Sequence, residues 1–398
     1  MTPTPRSDTT RSNTTSFRLA ALALGAMLLA GCSTISGWFD DDEAGDPVKL
    51  VEFAATSVVT PLWSARVGDG EGKTGTYQGP AIADGKVYAS GLDAGVRVFD
   101  LQSGAAGWQF GEKGLRLAAG PGVGDGMVVV GGLDGEVVAL DAGNGAERWR
   151  ARVNAEVTAP PAVSQGAVLV RSADGRLTAF DGASGEQRWF WAPQAPALTV
   201  RGDDAPVLGP GYVFMGNDDG TIVALALQDG RVLWELPVSP QEGRSELDRL
   251  ADVDGTPVLD GTTLFASSYR KQTMAIDAPT ARPIWVQDNG GAGRVGVSAD
   301  KVVVADRDGK VWGLDKATGS AIWQQQGLER RSVTGVAIHG EHAVVGDYEG
   351  YLHWLNLSDG AFAARVDAGD TIRGAPRVAD GVLVVQDIEG RVSAYRVH

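Results

Sequence analysis

Short apolar runs bounded by glycine and aspartate turns recur along most of the chain, in the pattern of strands rather than helices. The clearest copy passes from Asp125 through Met127-Val128-Val129-Val130, Asp134-Gly135 and Val137-Val138-Ala139-Leu140 to Asp141, Gly145 and Trp149. Eight such segments occur, and six end in tryptophan, at positions 108, 149, 189, 234, 285 and 323. A strand-bearing repeat of about 40 residues is the signature of a β-propeller with one blade per copy. The expected fold is all-β, an eight-bladed β-propeller of four-stranded antiparallel blades.

Two copies depart from the rule in a way that shows how the ring closes. The seventh, Ala343 to Trp354, keeps its strands but has Ala364 where the terminal tryptophan should stand. The eighth, Gly381 to Val397, stops before its last strand, and the missing strand is found at the other end of the chain as Leu62-Trp63-Ser64-Ala65-Arg66-Val67. Closure is thus expected by pairing this N-terminal strand into the last blade, which leaves no exposed edge between first and last blades. Glycines at the turns supply the positive φ of Asp-Gly hairpins. The tryptophans, large and with one N–H to satisfy, suit the junctions between blades. The motif Asp-x-x-x-Gly-x-x-x-Trp, over about residues 60 to 398, resembles the tryptophan-docking repeat of pyrroloquinoline-quinone enzymes and specifies a propeller better than a cofactor.

The first residues change the picture from fold to location. Arg6, Arg11 and Arg18 precede an apolar run from Leu19 to Ala30, too short for a permanent span and right for the core of a signal peptide. Leu28-Leu29-Ala30-Gly31-Cys32 looks like a bacterial lipobox, and Cys32 is the single cysteine of the chain. Residues 1–31 are read as a lipoprotein signal peptide, 32–57 as an acylated, solvated tether and 58–398 as the propeller. Ser33 after the acylated cysteine implies transfer to the outer membrane, facing the periplasm. Loss of residues 1–31 takes the formal charge from −15 to −17, and so acidic a chain does not fit nucleic acid as partner.

Catalytic chemistry is hard to find. Asp134, Asp141, Asp219 and Asp315 recur at repeat positions and read as turn residues. His339 and His342 flank a turn rather than share a helix face, so no metal site is expected. Gly68-Asp69-Gly70-Glu71-Gly72-Lys73-Thr74 lacks the first glycine of a phosphate loop and has no helix to open after it. No cofactor is implied, and with Cys32 committed to lipid the cysteine pair of quinoprotein dehydrogenases is impossible.

Binding is expected where the repeat is stretched, between Trp189 and Trp285, where tryptophan spacing rises to 45 and 51 residues. Two insertions account for it, Ala195 to Pro206 and Arg244 to Pro257. The lipobox, the eight repeats, Val200-Arg201-Gly202, Glu246-Leu247-Asp248-Arg249-Leu250-Ala251-Asp252-Val253-Asp254 and Gly350-Tyr351-Leu352-His353-Trp354 together resemble the BamB family, lipoprotein subunits of the β-barrel assembly machinery. The resemblance implies a non-enzymatic scaffold, one copy within a hetero-oligomeric complex, that docks on the periplasmic POTRA domains of BamA and assists folding and insertion of outer-membrane proteins. It carries the docking role to Leu198, Val200, Arg201, Asp252 and Asp254; Val200 stands where the family pattern can have leucine. Contact with unfolded outer-membrane proteins, by strand addition at a blade edge, would be a further use of the fold. A lipid-anchored quinoprotein-like dehydrogenase and a scaffold of another envelope complex remain the alternatives at this point.

Overall fold

The computed structural model describes residues 46–72, 74–76, 78–193, 204–238, 253, 255–268, 272–291 and 293–398. Eight four-stranded antiparallel sheets follow one another around a ring. Blade one comprises Ala81–Ala83, Lys86–Gly91, Gly95–Asp100 and Ala106–Phe110, and the next six repeat the order from short innermost strand to outermost strand, which carries the repeat tryptophan in blades one to six. Around most of the ring the innermost strands of successive blades touch side by side.

Closure follows the expected route. In blade eight the N-terminal strand Val59–Arg66 is outermost and pairs antiparallel with Arg391–Val397, with Val59 opposite Val397 and Trp63 opposite Ala394. The core lies between the sheets rather than inside any one of them. Val129, Val137 and Ala139 of blade two, for example, pack with Val168, Val170 and Phe180 of blade three.

The repeat motif is explained by the junctions. Trp149 of blade two donates its indole N–H to the Gly182 carbonyl of blade three at 2.8 Å. Its ring lies on Gly185, where an added Cβ would meet ring carbons at 2.6 Å. Gly185 has φ near 73° and is set there by Asp181, whose carboxylate accepts from the N–H groups of Ala183 and Ser184. The aspartate therefore shapes the turn, the turn places the glycine, and the glycine receives the preceding blade's tryptophan. The same indole-to-carbonyl bond, at 2.8 to 3.0 Å, is made by Trp63, Trp108, Trp189, Trp234, Trp285 and Trp323.

The junction from blade seven to blade eight, where Ala364 replaces the tryptophan, is filled from the neighbouring strand. Trp354 is wholly buried there, its N–H on His339 Nδ1 at 3.2 Å and its ring edge-on to Tyr395. Residues 48–57, expected as solvated tether, lie instead against blades six and seven. Val48 N–H donates to Glu329 O, Thr56 and Ser57 N–H donate to Ala363 O, and Phe53 stacks on Phe362.

Candidate functional site

Leu198, Val200 and Arg201 of the first insertion, Asp252 and Asp254 of the second, and Cys32 all lie outside the described residues. What the structure places is the base from which both insertions spring. Each connects the outermost strand of one blade to the innermost strand of the next: Gln187–Trp191 to Val207–Gly209, and Val232–Pro237 to Val258–Asp260. Both therefore issue from the same end of the ring.

Their ends are joined through one turn of blade four. Arg171, the last residue of Ala167–Arg171, is buried and donates to Asp204 Oδ2 at 3.0 Å and to Asp218 Oδ1 at 2.6 Å. Asp204 lies near the end of the first insertion, and Asp218 sits in the turn after Tyr212–Gly216. The adjoining Asn217 carbonyl accepts from Val253 N–H, within the second insertion, at 3.2 Å. Ala205 N–H then donates to Thr256 Oγ1 at 3.2 Å, tying the two loop ends directly. A guanidinium held between two carboxylates in a largely dry site is rigid, because releasing either partner would leave a buried charge uncompensated.

Sequence reading missed Arg171, although a signal existed. Equivalent strand ends in blades one, two, four and seven are Gly91, Gly131, Gly216 and Gly346, so an arginine there breaks the repeat. Its partners lie 33 and 47 residues away and could be identified only in three dimensions.

A second charged cluster sits in blade seven and holds the segment around Val48 and Val51. Arg331 donates to Asp347 Oδ2 at 2.8 Å, to the Val48 carbonyl at 3.1 Å and to Glu349. His353 Nε2 lies 3.0 Å from Asp347 Oδ2, and Arg365 reaches both His353 Nδ1 and the Val51 carbonyl. Burial alone would lift the Asp347 carboxyl, but the hydrogen bond from His353 and the Arg331 guanidinium hold it below the usual carboxylate range. Burial pushes the His353 imidazole down, against the pull of Asp347. The arrangement anchors residues 48–51.

Other candidate chemistry resolves into structure. The loop containing Gly70 and Glu71 joins the N-terminal strand to blade one and bonds to blade eight, with Gly72 N–H on the Ile388 carbonyl at 2.9 Å. Burial raises the Glu71 carboxyl above its ordinary value despite the Gln78 N–H at 2.8 Å and Arg373 at 3.3 Å. His339 and His342 bracket the hairpin between Ala337–His339 and His342–Gly346. Among the described residues no three His, Cys, Asp or Glu side chains gather as metal ligands. The described ends of both insertions thus rest on one stiff base.

Known proteins give the same direction. A family model described as outer membrane protein assembly factor BamB matches residues 92–325 and 307–398. The chain is 54% identical to the outer membrane protein assembly factor BamB of Xanthomonas campestris pv. campestris, across 96% of this chain and 97% of that one. It superposes on the crystal structure of BamB from Moraxella catarrhalis with a TM-score of 0.77 and 29% identity, over 85% of this chain and 100% of that one. A europium-containing methanol dehydrogenase shares a TM-score of 0.70 at 14% identity, over 87% and 95% of the two chains, a likeness of fold alone.

Proposed function

The chain belongs to the BamB family of outer-membrane protein assembly factors, and from that premise we propose that its two insertions dock on the periplasmic POTRA domains of BamA. The protein is a non-enzymatic assembly scaffold of the outer membrane. One observation supports the docking reading above the rest. The turn at Asn217 and Asp218 holds the end of the first insertion, through Arg171 and Asp204, and a residue of the second, through Val253. Holding the ends of both insertions on one turn lowers the ordering cost of association. Leu198 and Val200 serve as apolar anchors, and Arg201, Asp252 and Asp254 as polar determinants.

Full-length protein captured from detergent-solubilised outer membranes should bring BamA with it. Arg201→Ala should lose BamA while remaining folded, and Lys113→Ala, at an exposed site in blade one's loop, should keep it. Failure of wild type to retain any barrel subunit would remove the support for a BamA partner.

The protein works at the periplasmic side of the outer membrane, held there by acyl chains on Cys32 after removal of residues 1–31; more than one chain is needed for stable anchoring. Cys32→Ser should move the protein from the membrane pellet to the soluble periplasm. Unchanged pelleting of that variant from cells without its partners would contradict the anchor.

A further inference from the structure

Two arginines interrupt the repeat at the innermost strands, away from both charged clusters described above. Arg377 opens Arg377–Ala379, opposite Val384. The same register position is Ala81 opposite Tyr88 in blade one and Gly122 opposite Val129 in blade two. In the remaining blades it is alanine, valine or glycine. Arg294 stands two residues before the innermost strand Gly296–Val297, where the other blades have only Gly, Ala, Pro or Thr. Blade architecture thus requires no arginine at either place.

The two lie near each other at the end of the ring from which the long insertions issue. Arg294 O accepts from Val336 N–H at 2.8 Å. Gly335, between them, packs on the Arg294 backbone on one side, and an added Cβ would lie 3.2 Å from Ala375 Cβ on the other. Both arginines are half-buried. Among the described residues, neither side chain meets a hydrogen-bond acceptor or a carboxylate. The neighbouring Arg373 is different, since Glu71 pairs with it at 3.3 Å. Burial lowers Arg294, while burial and the Arg294 charge together draw Arg377 down to about 10, still far above neutrality.

Two cations drawn partly from water, close enough to repel and with no acid between them among the described residues, carry a cost that an anion would relieve. Guanidinium groups match the planar geometry of carboxylate and phosphate oxygens. In a chain of formal charge −15, such a spot contrasts with an overall field that repels anions.

We propose that Arg294 and Arg377 form an oxyanion-binding site at the insertion-bearing end of the central channel, taking a carboxylate or phosphate group. The group arrives on a free small anion or on the acidic side chain of a partner segment that enters the channel. The site does not depend on the docking reading, because it uses different blades and different residues.

Calorimetric titration of the full mature protein in detergent, with inorganic phosphate and with a tetraglutamate peptide as separate probes, tests the site and separates the two sources. Binding of either probe is expected, weakened at least tenfold by Arg294→Gln or Arg377→Gln, abolished in the double variant and unchanged by Lys113→Gln. Phosphate binding alone marks a free-anion site, and peptide binding alone marks a seat for an acidic segment. Absence of binding by wild type to both probes up to about 20 mM, or binding indifferent to both substitutions, overturns the proposal. Should a variant fail to fold, the wild-type melting temperature carries the test: either probe must raise it more than chloride of equal ionic strength does.

Discussion

His353 is fully buried between an acid and a base, and its two nitrogens define its protonation state. Arg365 donates to Nδ1 and Asp347 accepts from Nε2, so the ring is neutral with its proton on Nε2. His339 has the same pattern, with the Trp354 N–H on Nδ1 and the Gly381 carbonyl near Nε2. Burial lowers both imidazoles below their ordinary value, and His342 as well. In the unfolded chain these histidines take up protons near pH 6.5, whereas the folded chain resists. Stability should therefore fall as pH drops through and below about 6.5, by up to about 1.4 kcal/mol per pH unit for a fully resisting group such as His353. The depressed Asp347 acts in the same direction lower down: its contribution is complete above about pH 3.9 and is lost as pH falls through its folded value. Melting temperature measured from pH 7.5 to 5 should decline, with a shallower slope for His353→Gln; a flat profile would contradict the assignment.

At the scale of the element, the tryptophan strand is the unit that joins blades. Trp149→Ala should cost about 3 to 5 kcal/mol, because it opens a cavity over Gly185 and leaves the Gly182 carbonyl without its donor. Trp149→Phe keeps most of the buried ring and should cost clearly less; urea denaturation of both variants decides, and equal losses would show that ring burial is not the main term. This much was legible in the sequence, because Asp181, Gly185 and Trp149 recur at fixed spacing and the turn chemistry of each is local. The substitute at the seventh junction was not. Ala364 announced a missing tryptophan, but Trp354 as its replacement depends on His339 and Tyr395 brought in from other strands. The same limit applies to residues 48–57. They read as polar tether because their partners, Arg331 and Arg365, lie 283 and 314 residues further on.

At the scale of the molecule, a ring of near-identical blades makes departures from the repeat informative. Extra length between Trp189 and Trp285 singles out one sector, and Arg171, Arg294 and Arg377 are single-residue departures of the same kind. Closure through Val59–Arg66 was legible because the eighth repeat lacks its last strand and a matching strand precedes the first blade. Pairings among charges were not, since sequence shows which residues break a pattern but not which of them meet. The ring serves as a rigid mount from which the two insertions are proposed to recognise BamA. The direct measurement is a titration of purified POTRA domains with the full mature protein, comparing wild type with Arg201→Glu and with Lys113→Glu. Micromolar binding is expected, weakened at least tenfold, about 1.4 kcal/mol, by Arg201→Glu and left intact by Lys113→Glu. Equal affinity of folded Arg201→Glu and wild type, or no binding by wild type at about 100 μM, would contradict it.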